Sequence, residues 1–188
     1  MYDLSGIFEP VSCNGSDDMA LEKSDLTNNY WADYVATSGI EPAEYAVVRF
    51  GDSGRMTDEF LELVLSGRKR ATASLLRDYT LSTEAVPKAG DYVVVLDSTG
   101  KPGCIWRTTE VVAKPLADVD EAFAFDEGEG DRSRDGWLSA HRNYFTAQAQ
   151  REKFEMSDNI ETVFERFRIV WPLSAADPED IPATVQAE

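Results

Sequence analysis

The segment Gly67-Arg68-Lys69-Arg70-Ala71-Thr72-Ala73-Ser74-Leu75 decides the fold, because it marks the change from a helix to a strand. Before it, apolar residues recur at three- and four-residue spacing, which predicts one buried helix face. That face is formed by Phe60, Leu61, Val64 and Leu65. Thr57 is the predicted N-cap of this helix, and Gly67 favours its end because glycine readily adopts the left-handed conformation that follows a helix. A strand is predicted over residues 71–77.

Further elements extend from this segment in both directions along the chain. A strand is predicted over residues 45–50, and a hairpin joins strands over 92–96 and 103–112. An amphipathic helix is predicted over 133–150, and a strand rich in Val, Ile and Phe over 161–171. Hairpin strands with interposed helices indicate an α+β fold, built as a small mixed barrel or a curled sheet.

The composition favours one main domain in the cytoplasm. The chain has 188 residues, of which 43% are hydrophobic, and this length suits a single domain with a core. The two cysteines, Cys13 and Cys104, are too few for a disulfide framework and fit a reducing compartment. No apolar run approaches the roughly 18–20 residues that a membrane span needs. The first residues lack the pattern of a signal peptide, so we expect a cytoplasmic protein without membrane contact.

The negative charge is concentrated at the two ends of the chain. The formal net charge is −17, of which residues 1–45 contribute −8 and residues 174–188 contribute −4. We therefore expect a domain over residues 29–173, flanked by a poorly ordered N-terminal extension (1–28) and an acidic disordered tail (174–188). The acidic ends oppose binding along a long phosphate backbone, whereas the domain can hold a small anionic or polar ligand.

The basic segment admits two interpretations. Arg68, Lys69 and Arg70 desolvate poorly side by side, so at least one of them should have an acidic partner. A lysine held near apolar surface and other cations acquires a lowered pKa and can act as a base. The alternative is a solvated basic turn in which Thr72 and Ser74 are ordinary strand residues, and spacing alone favours this alternative.

A second polar segment, Glu127-Gly128-Glu129-Gly130-Asp131, places two glycines among three carboxylates. Such a turn is costly unless the backbone needs a positive φ or a close approach to another group. It could present carboxylates to a lysine, a metal or a base edge, or it could be a solvated turn. A metal is disfavoured because the chain has one histidine and no Cys/His pair with ligand spacing. That histidine, His141, shares a predicted helix face with Trp137 and Phe145, either as a core residue or facing the acidic turn.

Five blocks of sequence, in a fixed order, carry a family resemblance. They are Phe50-Gly51-Asp52, Gly67–Leu75, Pro87-Lys88-Ala89-Gly90-Asp91, Phe123-Ala124-x-x-Glu127-Gly128-Glu129-Gly130-Asp131 and Trp137-x3-His141-x2-Tyr144-Phe145. Together they resemble the bacterial ASCH-domain family of the PUA-like superfamily, over about Trp31 to Trp171. The resemblance implies a small PUA-like mixed β-barrel with flanking helices and a cleft beside the Gly-x-Lys-x-x-Thr segment.

The resemblance also implies chemistry on RNA or nucleosides. The family is associated with RNA binding; some small bacterial members suggest hydrolysis of the acetyl amide of N4-acetylcytidine, and others are ribonucleases. Carried over position by position, the catalytic residues are Lys69, Thr72 and Glu127, with Glu129 as a competitor of Glu127. The residues expected to bind the substrate are Arg68, Arg70, Ser74, Glu129, Asp131, Trp137 and His141. No metal or cofactor is implied.

Three functions follow from these patterns. In the first, an amidohydrolase, Thr72 is the nucleophile, Lys69 the base that activates it, and Glu127 binds the ring or relays a proton. The second is a non-catalytic PUA-like module that binds a nucleoside, a base or a short RNA. The third is a ribonuclease in which Lys69 stabilises developing negative charge.

The first function requires two side chains to converge. Positions i and i+3 of a regular strand face opposite sides, so the chain must still be turning out of the helix at Lys69 if Thr72 is to meet it. We expect Lys69, Thr72 and Glu127 to line one cleft. Trp137 is expected to be buried, and His141 to face the acidic turn.

Overall fold

The computed structural model describes residues 21–51, 53–82 and 84–181. Residues 1–20 of the predicted extension, which include Cys13, and residues 182–188 of the predicted tail lie outside this range, as do Asp52 and Thr83. No helix in the described ranges combines the length and the apolar content that a membrane span requires.

The described chain contains five α-helices and five strands. The helices are α1 (Asp25–Ser38), α2 (Gly54–Leu65), α3 (Leu76–Ser82), α4 (Glu121–Glu127) and α5 (Arg134–Glu152). The strands are β1 (Tyr45–Val48), β2 (Ala71–Leu75), β3 (Tyr92–Leu96), β4 (Pro102–Pro115) and β5 (Glu161–Trp171). Short 3-10 turns lie at Leu116–Asp118 and Pro178–Asp180. The α+β class and the predicted hairpin are confirmed.

The strands form one mixed sheet in the order β1-β3-β4-β5-β2. β1 pairs in parallel with β3, and the other neighbours are antiparallel. The sheet is not closed, because no ladder between β1 and β2 is found in the described residues. The predicted barrel is therefore not confirmed. A physical reason lies in α2, which leads from β1 to β2 and packs Leu61 and Val64 across the sheet face.

Each face of the sheet is covered by different helices. On one face, α2 packs over side chains of the three central strands, including Val93, Trp106 and Phe167. We call this the α2 face. On the opposite face, α1 covers a cluster around Val94, and α4 and α5 cover a second cluster around Phe164. Successive side chains of a strand point to opposite faces of the sheet. Neighbouring residues of one strand therefore contact different helices.

The helix α2 begins earlier than the sequence predicts. Ser53 is its N-cap, and the Ser53 hydroxyl accepts a hydrogen bond from the Met56 N–H. Thr57, the predicted cap, lies one turn inside the helix, where its hydroxyl donates to the carbonyl of Phe50 at 2.6 Å. Gly67 follows the helix with φ +80°, as predicted, so the end of α2 was readable from the sequence and its start was not.

The domain boundaries are wider than predicted. Residues 21–28, assigned to a poorly ordered extension, include the first turn of α1, whose N-cap Ser24 forms a capping box with Thr27. Thr27 is fully buried. At the other end, Asp177 lies in the predicted disordered tail but accepts hydrogen bonds from Arg70 and from the Ile169 N–H. The ordered domain therefore extends beyond residues 29–173 on both sides.

Replacing Asp177 by Ala should destabilise the fold. Its carboxylate accepts Arg70 Nη2 at 3.0 Å and the Ile169 N–H at 2.7 Å, and removing it leaves both donors unsatisfied. We expect a loss of about 1–3 kcal/mol, which for a domain of this size lowers Tm by about 2–4 °C per kcal/mol. Thermal unfolding measures the change, with the exposed Glu41→Ala as control. Equal Tm values for the two variants would contradict the role of Asp177.

Candidate functional site around Lys69

The backbone around Lys69 is still leaving the helix when it reaches this residue. The N–H groups of Arg68 and Lys69 both donate to the Leu63 carbonyl, at 3.0 and 2.9 Å. The N–H of Arg70 then donates to the Asp126 carbonyl of α4 at 2.7 Å, and β2 begins only at Ala71. The segment is therefore still turning at Lys69, which is the condition for Lys69 and Thr72 to converge.

The Lys69 ammonium is buried between two carboxylates. Its side chain is 1% exposed, and Nζ lies 2.5 Å from Glu129 Oε1 and 3.5 Å from Glu127 Oε1. Burial alone would lower the pKa of Lys69, but the charges of Glu129 and Glu127 outweigh it and raise the pKa above its usual value. The predicted lowering of the Lys69 pKa is wrong, because the charges that surround the ammonium are anionic. Lys69 is a cation at neutral pH.

Glu127 connects Lys69 to helix α5. The carboxylate is 2% exposed, and its Oε2 accepts a hydrogen bond from the Trp137 indole N–H. Its Oε1 lies 3.6 Å from His141 Nε2. Burial would raise the pKa of Glu127, but the cationic groups of Lys69 and His141 lower it below its usual value. Trp137 is buried and His141 faces Glu127, so both expected placements are confirmed.

His141 extends this network into helix α5. Its ring stacks on the Trp137 indole with 3.7 Å between ring centroids. Its Nδ1 lies 3.0 Å from the Trp137 carbonyl, which can only accept, so Nδ1 carries a proton. Burial would lower the pKa of His141, but the Glu127 carboxylate raises it above its usual value. Lys69, His141 and the carboxylates of Glu127 and Glu129 thus form one buried cluster of titratable groups.

The acidic turn is held against the basic segment by its backbone. Gly128 has φ +77°, and a Cβ at this position would lie 2.3 Å from the Arg68 carbonyl oxygen. Arg68 returns the contact, since its guanidinium donates to the carbonyls of Gly128 at 2.6 Å and Gly130 at 2.8 Å. The glycines are therefore required by a positive φ and by a close approach, the two conditions that justify them in an acidic turn.

Several residues expected to bind substrate have partners inside the protein. Arg68 clamps the acidic turn, and Arg70 donates to Asp177 and to the carbonyls of Val64 and Lys69. The Ser74 hydroxyl bonds to that of Tyr79 at 2.8 Å. Asp131 accepts hydrogen bonds from the backbone and hydroxyl of Ser133. These contacts give each residue a structural role, and the expected substrate contacts stay predictions.

Thr72 lies on the α2 face of the sheet, in the middle of β2. It is half-buried, and it sits opposite Glu165 in the β2–β5 ladder. Within the described residues its hydroxyl makes no hydrogen bond, to Lys69 and Glu127 or to any other group. The structure therefore brings Lys69 and Glu127 together, and the expected cleft lined by Lys69, Thr72 and Glu127 stays a prediction.

A row of aromatic rings connects Lys69 to the face on which Thr72 lies. Lys69 Nζ is 5.4 Å from the ring centroid of Phe60 and 5.7 Å from that of Phe50. Phe50 contacts Trp106 at 5.5 Å, and Trp106 stacks on Phe167 at 4.4 Å. Phe167 lies two positions from Glu165 in β5, and two-residue spacing places side chains on the same face of a strand. The Lys69 ammonium therefore lies between the acidic turn and aromatic rings that continue onto the α2 face.

Glu165 is a polar residue of this face that the sequence analysis missed. It is 6% exposed although it carries a carboxyl group. A signal existed: in β5 the alternate positions Val163, Phe167 and Ile169 are apolar and buried, and Glu165 interrupts them. A single acid within an apolar alternation indicates a buried carboxyl.

A cleft of about 320 Å³ lies near the start of β3, lined by Ala89, Gly90, Arg107, Thr108, Thr109, Arg168 and Asp180. It does not include Lys69, Thr72 or Glu127. Arg168 is paired with Glu179, whereas Arg107 has no carboxylate partner in the part of the chain that the structure describes. In the same part, no cluster of His, Cys, Asp and Glu suited to a metal ion is found.

The mixed sheet, the Gly-x-Lys-x-x-Thr segment and the acidic turn that packs on it define an ASCH domain with a PUA-like fold. Residues 46–171 match the family model described as the ASCH domain, and the chain belongs to this family. The match begins in β1 and ends with β5, so it contains the whole sheet together with α2, α4 and α5.

Two solved structures support this assignment. The ASCH domain from Lactobacillus crispatus JV V101 is 29% identical, with a TM-score of 0.70 over 78% of this chain and 94% of that chain. A protein from Enterococcus faecalis V583 is 31% identical, with a TM-score of 0.69 over 76% of this chain and 86% of that chain. No curated protein matches the sequence significantly.

Replacing Lys69 by Met should destabilise the protein in a pH-dependent way. Removing one partner of a buried ion pair leaves an uncompensated charge and costs about 3–5 kcal/mol. In the wild type, the lowered pKa of Glu127 gives stability that is present above its unfolded pKa and lost as pH falls. In the variant, burial dominates and Glu127 takes up a proton more readily, so the variant gains stability as pH falls. The deficit should therefore be largest at pH 7.5 and smaller at pH 4.5.

Urea unfolding at the two pH values measures this deficit. The control is Arg142→Met, which removes the exposed ion pair between Arg142 and Asp158 and should cost no more than about 1 kcal/mol. A deficit of Lys69→Met that is no larger than the control, or that does not change with pH, would contradict the buried charge network.

Replacing Gly128 by Ala should cost more stability than the same change at Gly39. Both glycines have a positive φ, +77° and +68°, but only the Gly128 Cβ would meet backbone atoms within 3 Å, whereas Gly39 has open space. The shared conformational strain is about 1–2 kcal/mol, and the collision with Arg68 adds to it at Gly128. Thermal unfolding of the two variants gives the comparison. A similar Tm for both would show that the acidic turn does not depend on the close approach.

Proposed function

We propose that this ASCH-domain protein hydrolyses the N4-acyl amide of a cytidine-type nucleoside. The observation that supports this most is a buried ammonium, Lys69, three residues before Thr72, whose hydroxyl makes no hydrogen bond in the described residues. The aromatic rings beside the ammonium continue onto the face that carries Thr72. A cation and a nucleophile on one surface are the minimum that acyl transfer requires. The resemblance to nucleoside-acting members of the family supplies the substrate class.

In this proposal Thr72 is the nucleophile and Lys69 stabilises charge. An amide carbonyl attacked by a hydroxyl becomes an oxyanion, and preorganised donors near that oxygen lower the barrier. An ammonium has three N–H donors, and only the contact of Lys69 with Glu129 is shorter than 3.5 Å. The raised pKa of Lys69 favours this donor role over the role of a base, which the sequence analysis assigned to it.

The two acids next to Lys69 have different roles in the proposal. Glu127 is 2% exposed and already binds Lys69, Trp137 and His141, so it positions the ammonium. Glu129 is 30% exposed and can accept a hydrogen bond from an exocyclic N–H of the ligand. Accessibility therefore favours Glu129 over Glu127 as the acid that faces the substrate in this proposal.

The half-buried rings of Phe50 and Phe60 supply a surface for a nucleobase. They lie within 6 Å of the Lys69 ammonium, and aromatic side chains commonly stack on bases that are not paired. A flat pyrimidine packed on these rings would bring its acylated amino group towards Lys69 and Glu129. The rings therefore favour a nucleoside over an acyclic amide.

The arrangement of the arginines favours a small ligand over an RNA chain. Arg68 and Arg70 are engaged with carbonyl groups and Asp177, Arg134 donates to the carbonyls of Val119 and Ala117, and Arg142 pairs with Asp158. Arg107, which lines the cleft, forms no salt bridge in the described ranges. A net charge of −17 further weakens contact with several phosphates.

Thr72→Val should abolish turnover of N4-acetylcytidine while the protein stays folded. The change keeps the side-chain shape but removes the proposed nucleophile, for which we expect a loss in kcat of at least about 1,000-fold. Chromatographic detection of cytidine and acetate measures turnover. Thr109→Val, at an exposed position of β4, is the matched control and should retain activity within a few-fold.

The same assay separates the alternative functions. If the Thr72→Val variant still released cytidine, Thr72 would not be the nucleophile. Retention of a short RNA without turnover of any nucleoside would instead support the non-catalytic module, and cleavage of that RNA the ribonuclease. In both of these cases binding should weaken with Arg107→Ala and fall steeply with salt.

A further inference from the structure

Glu165 is the ladder partner of the proposed nucleophile. Thr72 and Glu165 are directly opposite in the antiparallel ladder of β2 and β5. Side chains of directly opposite residues project to the same face, with Cβ atoms about 4.5–5.5 Å apart. A glutamate carboxyl can span this distance to a threonine hydroxyl, so the two groups are within reach of one another on the α2 face.

Contacts on β4 hold the Glu165 carboxyl and leave part of it available. The Thr108 hydroxyl donates to Glu165 Oε1 at 2.6 Å. The Trp106 indole N–H is close enough to lower the pKa of the same carboxyl as a donor, yet it is a buried donor that makes no hydrogen bond in the described residues. Oε2 of Glu165 likewise has no hydrogen-bond partner there. One donor, the Trp106 indole N–H, and one acceptor, Glu165 Oε2, are thus without a hydrogen bond in the described residues.

The environment of Glu165 suits proton transfer near neutral pH. Burial raises the pKa of Glu165 to about 7, opposed by Thr108 and Trp106 and assisted by the Asp91 carboxylate in front of β3. A general base is most effective when its pKa is close to the working pH. Lys69, which the sequence favours as the base, is held in its protonated form by Glu127 and Glu129. Of Lys69 and Glu165, therefore, Glu165 is the one that can accept a proton at neutral pH.

We propose that Glu165 is the general base that takes the proton of the Thr72 hydroxyl, an inference that rests on the proposed amide hydrolysis. As Thr72 Oγ1 attacks the acyl carbon, its proton moves to the Glu165 carboxylate. The tetrahedral intermediate collapses when the C–N bond breaks, and the proton passes from Glu165 to the leaving amino nitrogen. The products of this half are the free cytosine amino group and an ester of Thr72.

Water completes the cycle with the same two residues. A water molecule gives a proton to the Glu165 carboxylate as its oxygen attacks the ester carbon. The intermediate then expels Thr72 Oγ1, which recovers the proton from Glu165, and the carboxylic acid is released. Every proton that Glu165 accepts is returned within the same half-reaction, so no cofactor or further reactant is required.

The pH dependence of Glu165→Gln tests the proposal. For the wild type, kcat/KM for N4-acetylcytidine should rise with pH and level off above the Glu165 pKa of about 7, because the base must be ionised. Glu165→Gln keeps the shape but cannot accept a proton. We expect kcat to fall by about 100- to 10,000-fold with KM changed little, and the ionisation near neutral pH to disappear. Glu165→Asp should retain a rise with pH at a reduced rate.

A matched control and a second readout keep the result interpretable. Glu161→Gln removes an exposed acid of the same strand and should leave rate and pH profile unchanged. Thr72 should also be acetylated by p-nitrophenyl acetate, as located by peptide mass spectrometry, more than about 100-fold faster in the wild type than in Glu165→Gln. This second measurement reports the activation of Thr72 without a nucleoside.

The outcomes separate failure of the base from failure of the proposed function. An active Glu165→Gln with an unchanged pH profile would overturn the role of Glu165 and leave the amidohydrolase in place. A folded wild type that turns over no acylated nucleoside would overturn the proposed function. If Glu165→Gln also left the acetylation of Thr72 unchanged, the proposed role of Glu165 would be overturned as well. A folded Glu165→Gln variant that loses both kcat and the ionisation near neutral pH would support Glu165 as the general base.

Discussion

The burial of one ammonium group constrains the rest of the site. A charge removed from water is very unfavourable unless opposite charges and hydrogen bonds replace its solvation. Lys69 obtains both from the end of α4 and the turn that follows it, through Glu127 and Glu129. Those carboxylates must in turn be held, and Arg68 and Trp137 hold the turn and Glu127 respectively. A helix end, an acidic turn and α5 are thus fixed around one nitrogen atom.

Much of this network follows from charge and periodicity alone. Three adjacent cations need an acid, the acidic turn needs a reason for its glycines, and Trp137 and His141 share a helix face; these features predict that the two segments meet. What they do not predict is which cation enters the interior. Arg68 and Arg70 have guanidinium groups long and broad enough to reach carbonyl groups and Asp177 at the edge of the sheet, so the lysine between them is the one that is buried.

Other features depend on contacts that the sequence does not encode locally. Closure of the sheet depends on whether its two edge strands meet, and this is decided by the path of α2 across the sheet. The start of α2 depends on Ser53, which competes with Thr57 for the N-cap, and both residue types are good caps. The position of Asp177 depends on a tertiary contact with Arg70, although its surroundings in the sequence are typical of disordered segments.

The two buried glutamates show why the environment of a carboxyl group matters more than its burial. Glu127 is surrounded by Lys69 and His141, which lower its pKa despite burial; Glu165 has only neutral donors and a distant carboxylate, so burial raises its pKa to about 7. Opposite shifts of two carboxyl groups in one site are a general way to assign different roles to the same residue type. A carboxylate that stays ionised suits the fixed task of orienting a cation. One that titrates near neutrality suits repeated gain and loss of a proton, and it is this one that lies opposite Thr72.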